Sequence, residues 1–327
     1  MGRGRQTDRL GERAAPDGPL VIYTFLGPEG TFTEAALLKV PGAREAQRIP
    51  SNSVNEALDL VRSGGADAAM VPIENSVEGG VTATLDAIST GPELRIVREE
   101  LIPITFVLVG RPGTRLEDVR RICTHGHAWA QCRRWVSSKI PFAEYEPASS
   151  TAAGALGLLS ETARPGDAAI CGPIIPEEHP ELDVLAVDLG DNPGAVTRFI
   201  LVSRPGELPE RTGADKTTVA VPLPEDHPGA LMEILWQFAS RGVNLSRIES
   251  RPTGEYLGHY FFSIDAEGHA KDARVADALA GLHRLSPDTR FLGSYPRADA
   301  VEPLVLPYNS DEAFRASQAW VRSILGS

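Results

Sequence analysis

Apolar residues in this chain alternate between short continuous runs and stripes at helical spacing, a pattern that predicts α/β organisation. Val21 to Leu26 reads as a first strand. A helix capped within Pro50-Ser-Asn-Ser carries Val54, Leu58 and Val61 on one face and ends at Gly64-Gly65. The run Ala68 to Val71 then predicts a strand buried on both faces, and Pro72, with no N–H to donate, is expected to stop its ladder. Val81 to Ser89 predicts a helix whose N-terminal amides point at the turn before it. Much later, Pro147-Ala-Ser-Ser-Thr opens another capped helix, and Asp167-Ala-Ala-Ile-Cys follows it as Asp67-Ala-Ala-Met-Val follows the first. The repeated order predicts two similar lobes. Leu101 to Val109, read as one strand, carries the chain from the first lobe to the second, and Leu182 to Val187 and Thr197 to Val202 return it. A ligand cleft lies between such lobes.

The pattern changes after Pro205 to Asp215, a stretch of Pro, Gly, Glu, Arg and Thr. Strands are predicted at Thr217 to Pro222, Val243 to Arg251, Tyr256 to Asp265 and Thr289 to Tyr295. Helices are marked by Leu231, Ile234, Leu235 and Phe238, and by Val275, Leu279 and Leu282. This is β-α-β-β-α-β, a ferredoxin-like small domain. The expected division is a disordered tail over 1–19, a two-lobed domain over 20–205 and a linker over 206–215. The small domain follows over 216–297, and a tail over 298–327 carries one helix at Asp311 to Leu325. Within the large domain, lobe 1 takes about 20–100 and 190–205, and lobe 2 takes about 101–189.

Composition narrows the class of function. With 42% hydrophobic and 23% charged residues, and no apolar run of spanning length, the chain reads as globular and unattached to a membrane. A formal net charge of -12 argues against nucleic acid as a partner and requires local positive potential for any anionic substrate. Three cysteines without paired spacing, and a basic N-terminal stretch lacking an apolar core, fit a cytoplasmic protein.

Four stretches could carry chemistry. Glu74-Asn-Ser76 with Gly79-Gly80 behind it would sit at the carboxyl end of a strand, where open α/β sheets bind ligands. On spacing alone an ordinary capped connection is the stronger reading. The loop Gly27-Pro-Glu-Gly30 leads into a capping box at Thr31 and Glu34, but lacks the lysine of a P-loop. Cys123-Thr-His125-Gly-His127, with Cys132 beyond, matches no standard zinc spacing, so no metal is expected. Finally, Thr197 and Arg198 open an apolar strand after a turn. Arg198 could clamp a carboxylate, although a solvated strand start explains it as well.

Taken together these stretches resemble prephenate dehydratases, enzymes of phenylalanine biosynthesis that carry a regulatory ACT domain. The resemblance rests on Phe25-Leu-Gly-Pro-Glu-Gly-Thr-Phe-Thr33, Val71-Pro-Ile-Glu-Asn-Ser76, Thr197-Arg-Phe199, Gly229-Ala-Leu231 and Glu249-Ser-Arg-Pro252, in family order over about Val21 to Tyr295. It implies a type 2 periplasmic-binding-protein-like catalytic domain plus an ACT domain, and conversion of prephenate to phenylpyruvate, water and CO2 without cofactor or metal. Thr197, Glu74 and Asn75 would be catalytic. Thr31, Ser76, Ser150, Thr151, Arg198 and Phe199 would bind substrate. Gly229, Ala230, Leu231, Glu249, Ser250, Arg251 and Pro252 would bind phenylalanine as an allosteric inhibitor where ACT domains meet in a homodimer or homotetramer. Two departures stand out. The family often has Ser-His-Pro-Gln where this chain has Thr124-His-Gly-His127, and commonly an Asn where this chain has Ala195. The rival readings are arogenate dehydratase and a non-catalytic two-lobed sensor.

Overall fold

A computed structural model describes residues 21–77, 79–161, 163–223, 227–252 and 260–326. The tail expected over 1–19 and the start of the strand expected from Tyr256 lie outside the described residues. Lobe 1 is built from β1 (Ile22–Leu26), α1 (Phe32–Leu37), β2 (Gln47–Ser51), α2 (Val54–Ser63), β3 (Ala68–Asn75), β4 (Gly79–Gly80), α3 (Thr82–Ser89) and β5 (Arg95–Pro103). Lobe 2 holds β6 (Val107–Gly110), β7 (Arg121–Thr124), α4 (Gly126–Gln131), α5 (Arg133–Lys139), β8 (Glu144–Pro147), α6 (Thr151–Leu156), β9 (Asp167–Cys171), α7 (Ile174–Glu178) and β10 (Asp183–Ala186). The chain then returns to lobe 1 as β11 (Val196–Ser203).

The two lobes share one topology. In lobe 1 the strand order is β2-β1-β3-β11-β5, with β4 added beside β3; in lobe 2 it is β8-β7-β9-β6-β10. Each has three parallel strands, then one antiparallel strand (β11 or β6), then an edge strand (β5 or β10) that runs with the first three. The equivalence extends to the caps: Ser53 Oγ accepts from the Glu56 N–H at 3.2 Å, and Ser150 Oγ from the Ala153 N–H at 2.9 Å. The repeat of small hydroxyl residues before each helix thus reflects one local solution used twice.

Two expectations are corrected. Leu101 to Val109 is not one strand: Ile104-Thr105-Phe106 breaks it, so β5 ends in the first sheet and β6 begins in the second. Ile104 and Phe106 are buried there in an apolar cluster that runs from Phe25 and Met70 in lobe 1 to Ile122 and Val136 in lobe 2. Nor does Pro72 end β3. The ladder continues to Asn75, with Pro72 opposite Phe199 and a bulge before Glu74, which pairs with Arg198. A bulge is where a strand tolerates a residue that cannot donate.

The small domain contains β12 (Asp215–Pro222), α8 (Ala230–Ala239), β13 (Leu245–Pro252), β14 (Tyr260–Glu267), α9 (Ala273–Leu285) and β15 (Arg290–Pro296), in sheet order β13-β14-β12-β15. The terminal helix α10 (Asp311–Leu325) follows, capped by Ser310. The small domain shares a core with lobe 1: Ala220, Phe261, Leu292 and Tyr295 join a cluster with Val71, Ile96, Ile200 and Val202. Gly293 (φ +144) lies against the Ile96 backbone, so close that a side chain there would collide with the Ile96 carbonyl.

Candidate functional site

The two sheets place a cavity of about 330 Å³ between the lobes, at the carboxyl ends of their parallel strands. Lobe 1 lines it with Thr31, Phe32 and Thr33 after β1, with Pro72 and Asn75 of β3, and with Thr197 and Phe199 of β11. Lobe 2 contributes His125, His127 and Gln131 around α4, and Ser149, Ser150 and Thr151 at the start of α6. Ile104 and Phe106 form the hinge side. The result is an apolar floor of Phe32, Phe106 and Phe199 ringed by hydroxyl, amide and imidazole groups. Phe32 and Phe106 meet edge to face with centroids 5.7 Å apart.

Its best-defined polar contact joins β3 to β11. Asn75 Nδ2 donates to Thr197 Oγ1 at 3.1 Å, and Asn75 Oδ1 accepts from the Val77 N–H at 2.8 Å, which fixes the amide's orientation. Thr197 is buried, and with its oxygen accepting from Asn75 its own O–H remains to donate. Thr31 Oγ1 accepts from the Glu34 N–H at 3.4 Å, while the Glu34 carboxylate turns back to the Gly30 N–H at 2.7 Å, closing the expected cap.

Of the sequence-predicted residues, Asn75, Thr197, Thr31, Ser150, Thr151 and Phe199 therefore meet in one cavity. Glu74, Ser76 and Arg198 do not line it. The cause is the β3 bulge. Strict alternation from Pro72 would turn Glu74 toward the cleft; one inserted residue turns Asn75 there instead and sends Glu74 to the far face with Arg198. Ser76 serves the ladder: its Oγ accepts from the Val196 N–H at 2.9 Å. Gly79 and Gly80 fold back as β4 on Asn75 and Glu74. Gly80 admits the carboxylate of Glu249, which a side chain at that position would strike. The first turn of α3 does not reach the cavity either.

Arg198, expected as a substrate clamp, is instead the centre of a buried polar cluster between lobe 1 and the small domain. Its Nε donates to Glu99 Oε2 at 2.6 Å, one Nη to Asp265 and the other to the Tyr295 hydroxyl at 2.9 Å. Lys216 Nζ binds both Glu99 oxygens at 3.0 Å, and Arg247 binds Asp265 at 3.0 and 3.1 Å. Thr218 Oγ1 donates to Asp265 at 2.8 Å. Burial pushes the Asp265 carboxyl up, but the Arg198 and Arg247 guanidiniums more than reverse this and hold it far below the usual carboxylate range. Burial pushes the Tyr295 hydroxyl up, so it stays a neutral partner.

Of the two motifs expected to bind an effector, the one on β13 contacts lobe 1 and the other opens α8. Gly229 caps α8 at φ +97, a conformation that favours glycine, with open space where a side chain would begin. Ala230 is buried and Leu231 half exposed. On β13, Arg251 reaches across to α3 and grips Asp86 with two hydrogen bonds of 3.0 and 2.8 Å, while Ser250 and Pro252 are exposed. Phe32, Phe106 and Gln131 line the cavity without having been expected there from the sequence, whereas His125 and His127 were met as weak metal candidates and as a departure from the family's Ser-His-Pro-Gln loop. Gln131 stands one turn after His127 on α4, and that polar i, i+4 pair was the available signal. Ala195, where the family resemblance led to an Asn, is buried in the apolar core.

Comparison with known proteins identifies the architecture. The prephenate dehydratase family profile matches residues 23–207, and the ACT domain profile matches residues 221–284. A prephenate dehydratase of Mycolicibacterium vanbaalenii is 44% identical over 290 residues, covering 85% of this chain and 91% of that protein. The crystal structure of the Arthrobacter aurescens prephenate dehydratase in complex with L-Phe has a TM-score of 0.88 and 74% identity, covering 94% of this chain and all of that one. GqqA, described as a quorum-quenching acylase, has a TM-score of 0.73 and 31% identity, covering 84% of this chain and 97% of that one. The chain belongs to the prephenate dehydratase family, and functions as a prephenate dehydratase, a lyase. Its fold is the two-lobed, type 2 periplasmic-binding-protein-like domain followed by an ACT domain.

Proposed function

We propose that the interlobe cavity binds prephenate and acts as a carbon–oxygen lyase, with Thr197 at the departing hydroxyl. Loss of CO2 and water aromatises the ring, so the driving force lies in the substrate and the reaction as written needs no cofactor. What the protein must supply is a grip on two carboxylates, an apolar seat for the ring and a donor for the leaving oxygen. The observation that carries this reading is the Asn75–Thr197 hydrogen bond at 3.1 Å, which leaves the Thr197 O–H to point at a ligand. Phe32, Phe106 and Phe199 suit the ring, and the α1 start at Thr31 and the hydroxyls of Ser150 and Thr151 stand on opposite lobes to receive the carboxylates. Arg198 takes no part in that grip; it braces the strand that carries Thr197.

The same reading makes phenylalanine the effector of the ACT domain, held at Gly229, Ala230 and Leu231 and at Glu249 to Pro252. β13 is the outer strand of its sheet, and among the described residues its free edge pairs with no strand. That edge is the proposed seam of a homodimer or homotetramer. A cytoplasmic setting rests on the three free cysteines. The deciding experiment is incubation with prephenate or with arogenate, following phenylpyruvate and phenylalanine. Phenylpyruvate from prephenate supports the proposal; turnover of arogenate alone overturns the substrate, and turnover of neither overturns the reaction.

A further inference from the structure

We infer that His127 is the acid that protonates the departing ring hydroxyl, an inference resting on the reading of the cavity given above. Among the described residues lining the cavity, His125 and His127 are the only histidines, and no Lys, Arg, Asp or Glu stands among them. Glu74, the acid suggested by the motif, is on the other face of the sheet beside Arg198. An unperturbed threonine is a poor acid, so Thr197 can orient the leaving oxygen but does not supply its proton. Histidine is the side chain that exchanges a proton in the ordinary working range.

The two imidazoles are not equivalent. They stack with centroids 5.1 Å apart and planes 25° apart, close enough that two positive charges would repel. His125 Nδ1 accepts from the His127 backbone N–H at 3.3 Å, the N-cap bond of α4. Accepting that bond needs a bare Nδ1, so the cap engages His125 through that nitrogen. His127 enters that cap through its backbone N–H and not through its ring. Among the described residues, ionisable groups packed around α4 include Tyr145 of β8, stacked on Trp129, and Asp191 beyond its C-terminal end, which accepts from the Arg134 N–H at 3.1 Å. Neither lines the cavity.

The step balances without any redox partner. The electron pair of the ring carbon–carboxylate bond becomes a ring double bond as CO2 leaves. The C–O bond breaks with its pair on oxygen, the His127 imidazolium proton makes that oxygen water, and solvent reprotonates the imidazole.

The test is the pH dependence of kcat for prephenate in the full-length protein, His127→Gln, His127→Lys and His125→Gln, with phenylpyruvate binding measured by calorimetry. Wild-type turnover of prephenate tests the reaction itself, so failure of that reading is distinguishable. The inference expects a wild-type limb that falls as pH rises. It expects that limb to be absent in His127→Gln, with kcat lower by about 10²-fold or more and product affinity within about threefold. In His127→Lys the limb moves to higher pH, and in His125→Gln it persists. His127 is exposed at the start of a helix, so these changes leave the core intact. A His127→Gln limb like wild type, turnover within about threefold, or a loss of product affinity as large as the loss of kcat/KM would overturn it, the last by making His127 a carboxylate clamp.

Discussion

Replacing Asp265 by Asn tests the cluster beneath the catalytic strand. The change keeps shape and removes one charge, leaving Arg198 and Arg247 buried with Asp265 no longer compensating either. Breaking a buried pair by deleting one partner costs about 3–5 kcal/mol. Asp265 accepts from Arg198, Arg247 and Thr218 and is fully buried, which places it at the upper end of that range. At roughly 2–4 °C per kcal/mol for a cooperative unit of about 200 residues, the melting temperature should fall by roughly 10–20 °C. Glu74→Gln is the control: its contact to Arg198 is 3.5 Å and 40% of its side chain is exposed, so under about 1 kcal/mol is expected. The sign with pH follows from the lowered Asp265 carboxyl. Its contribution is fully present above the ordinary carboxylate range, near pH ~4, and is lost as pH falls through the lower folded-state value. Urea melts from neutral to acid pH should therefore show a stability difference between wild type and Asp265→Asn that narrows only in acid. A variant within 1 kcal/mol of wild type at neutral pH would refute the coupled-cluster argument.

Thr197→Val should lower kcat by about 10²–10⁴-fold while leaving phenylpyruvate affinity and the melting temperature near wild type; near-normal turnover would remove Thr197 from the mechanism. Gly229→Leu forces a branched residue into φ +97 at the α8 cap, and should abolish phenylalanine inhibition while basal turnover survives, as read from rates with and without phenylalanine. Prolonged chelation followed by assay should leave turnover unchanged. Loss on chelation with rescue by zinc would point back to the His125–His127 loop.

The position of the ACT sheet gives the coupling between domains a physical route. Arg198 neighbours Thr197 on β11, and its guanidinium is held by Glu99 of lobe 1 and by Asp265 and Tyr295 of the small domain. A shift of β14 or β15 against β11 is therefore felt one residue from the cleft. Arg251 on Asp86 and Glu249 against Gly80 make two further contacts from β13 to the segment that follows Asn75. An effector bound at β13, as proposed above, would need only a small displacement to act on the Asn75–Thr197 pair, because packed interfaces move between discrete arrangements rather than deforming smoothly.

What the sequence by itself determined is what local chemistry decides. Apolar runs bounded by Gly and Pro set the strands, and Ser53, Ser150 and Ser310 set helix starts through one side-chain bond each. The repeat of cap, helix and Asp-Ala-Ala strand announced two lobes, and the order of motifs announced the family. Asn75, Thr197, Thr31 and Ser150 stand at strand ends or helix starts, and it was the family resemblance that singled them out from ordinary caps and turns. Tertiary structure decided which face each polar residue serves. A one-residue bulge, invisible in composition or periodicity, exchanged Glu74 for Asn75 in the cleft. Arg198 reads in sequence as a clamp for an anion, and it is one, but the anions are Glu99 and Asp265, brought from 99 residues before it and 67 after it. His127 and Gln131 line the cavity because α4 is carried across the hinge to face β11; their i, i+4 spacing puts them on one helix face but does not say what that face meets. Local bonds are written in neighbouring residues; long-range pairings depend on how two sheets twist, bulge and pack, which a linear pattern does not carry.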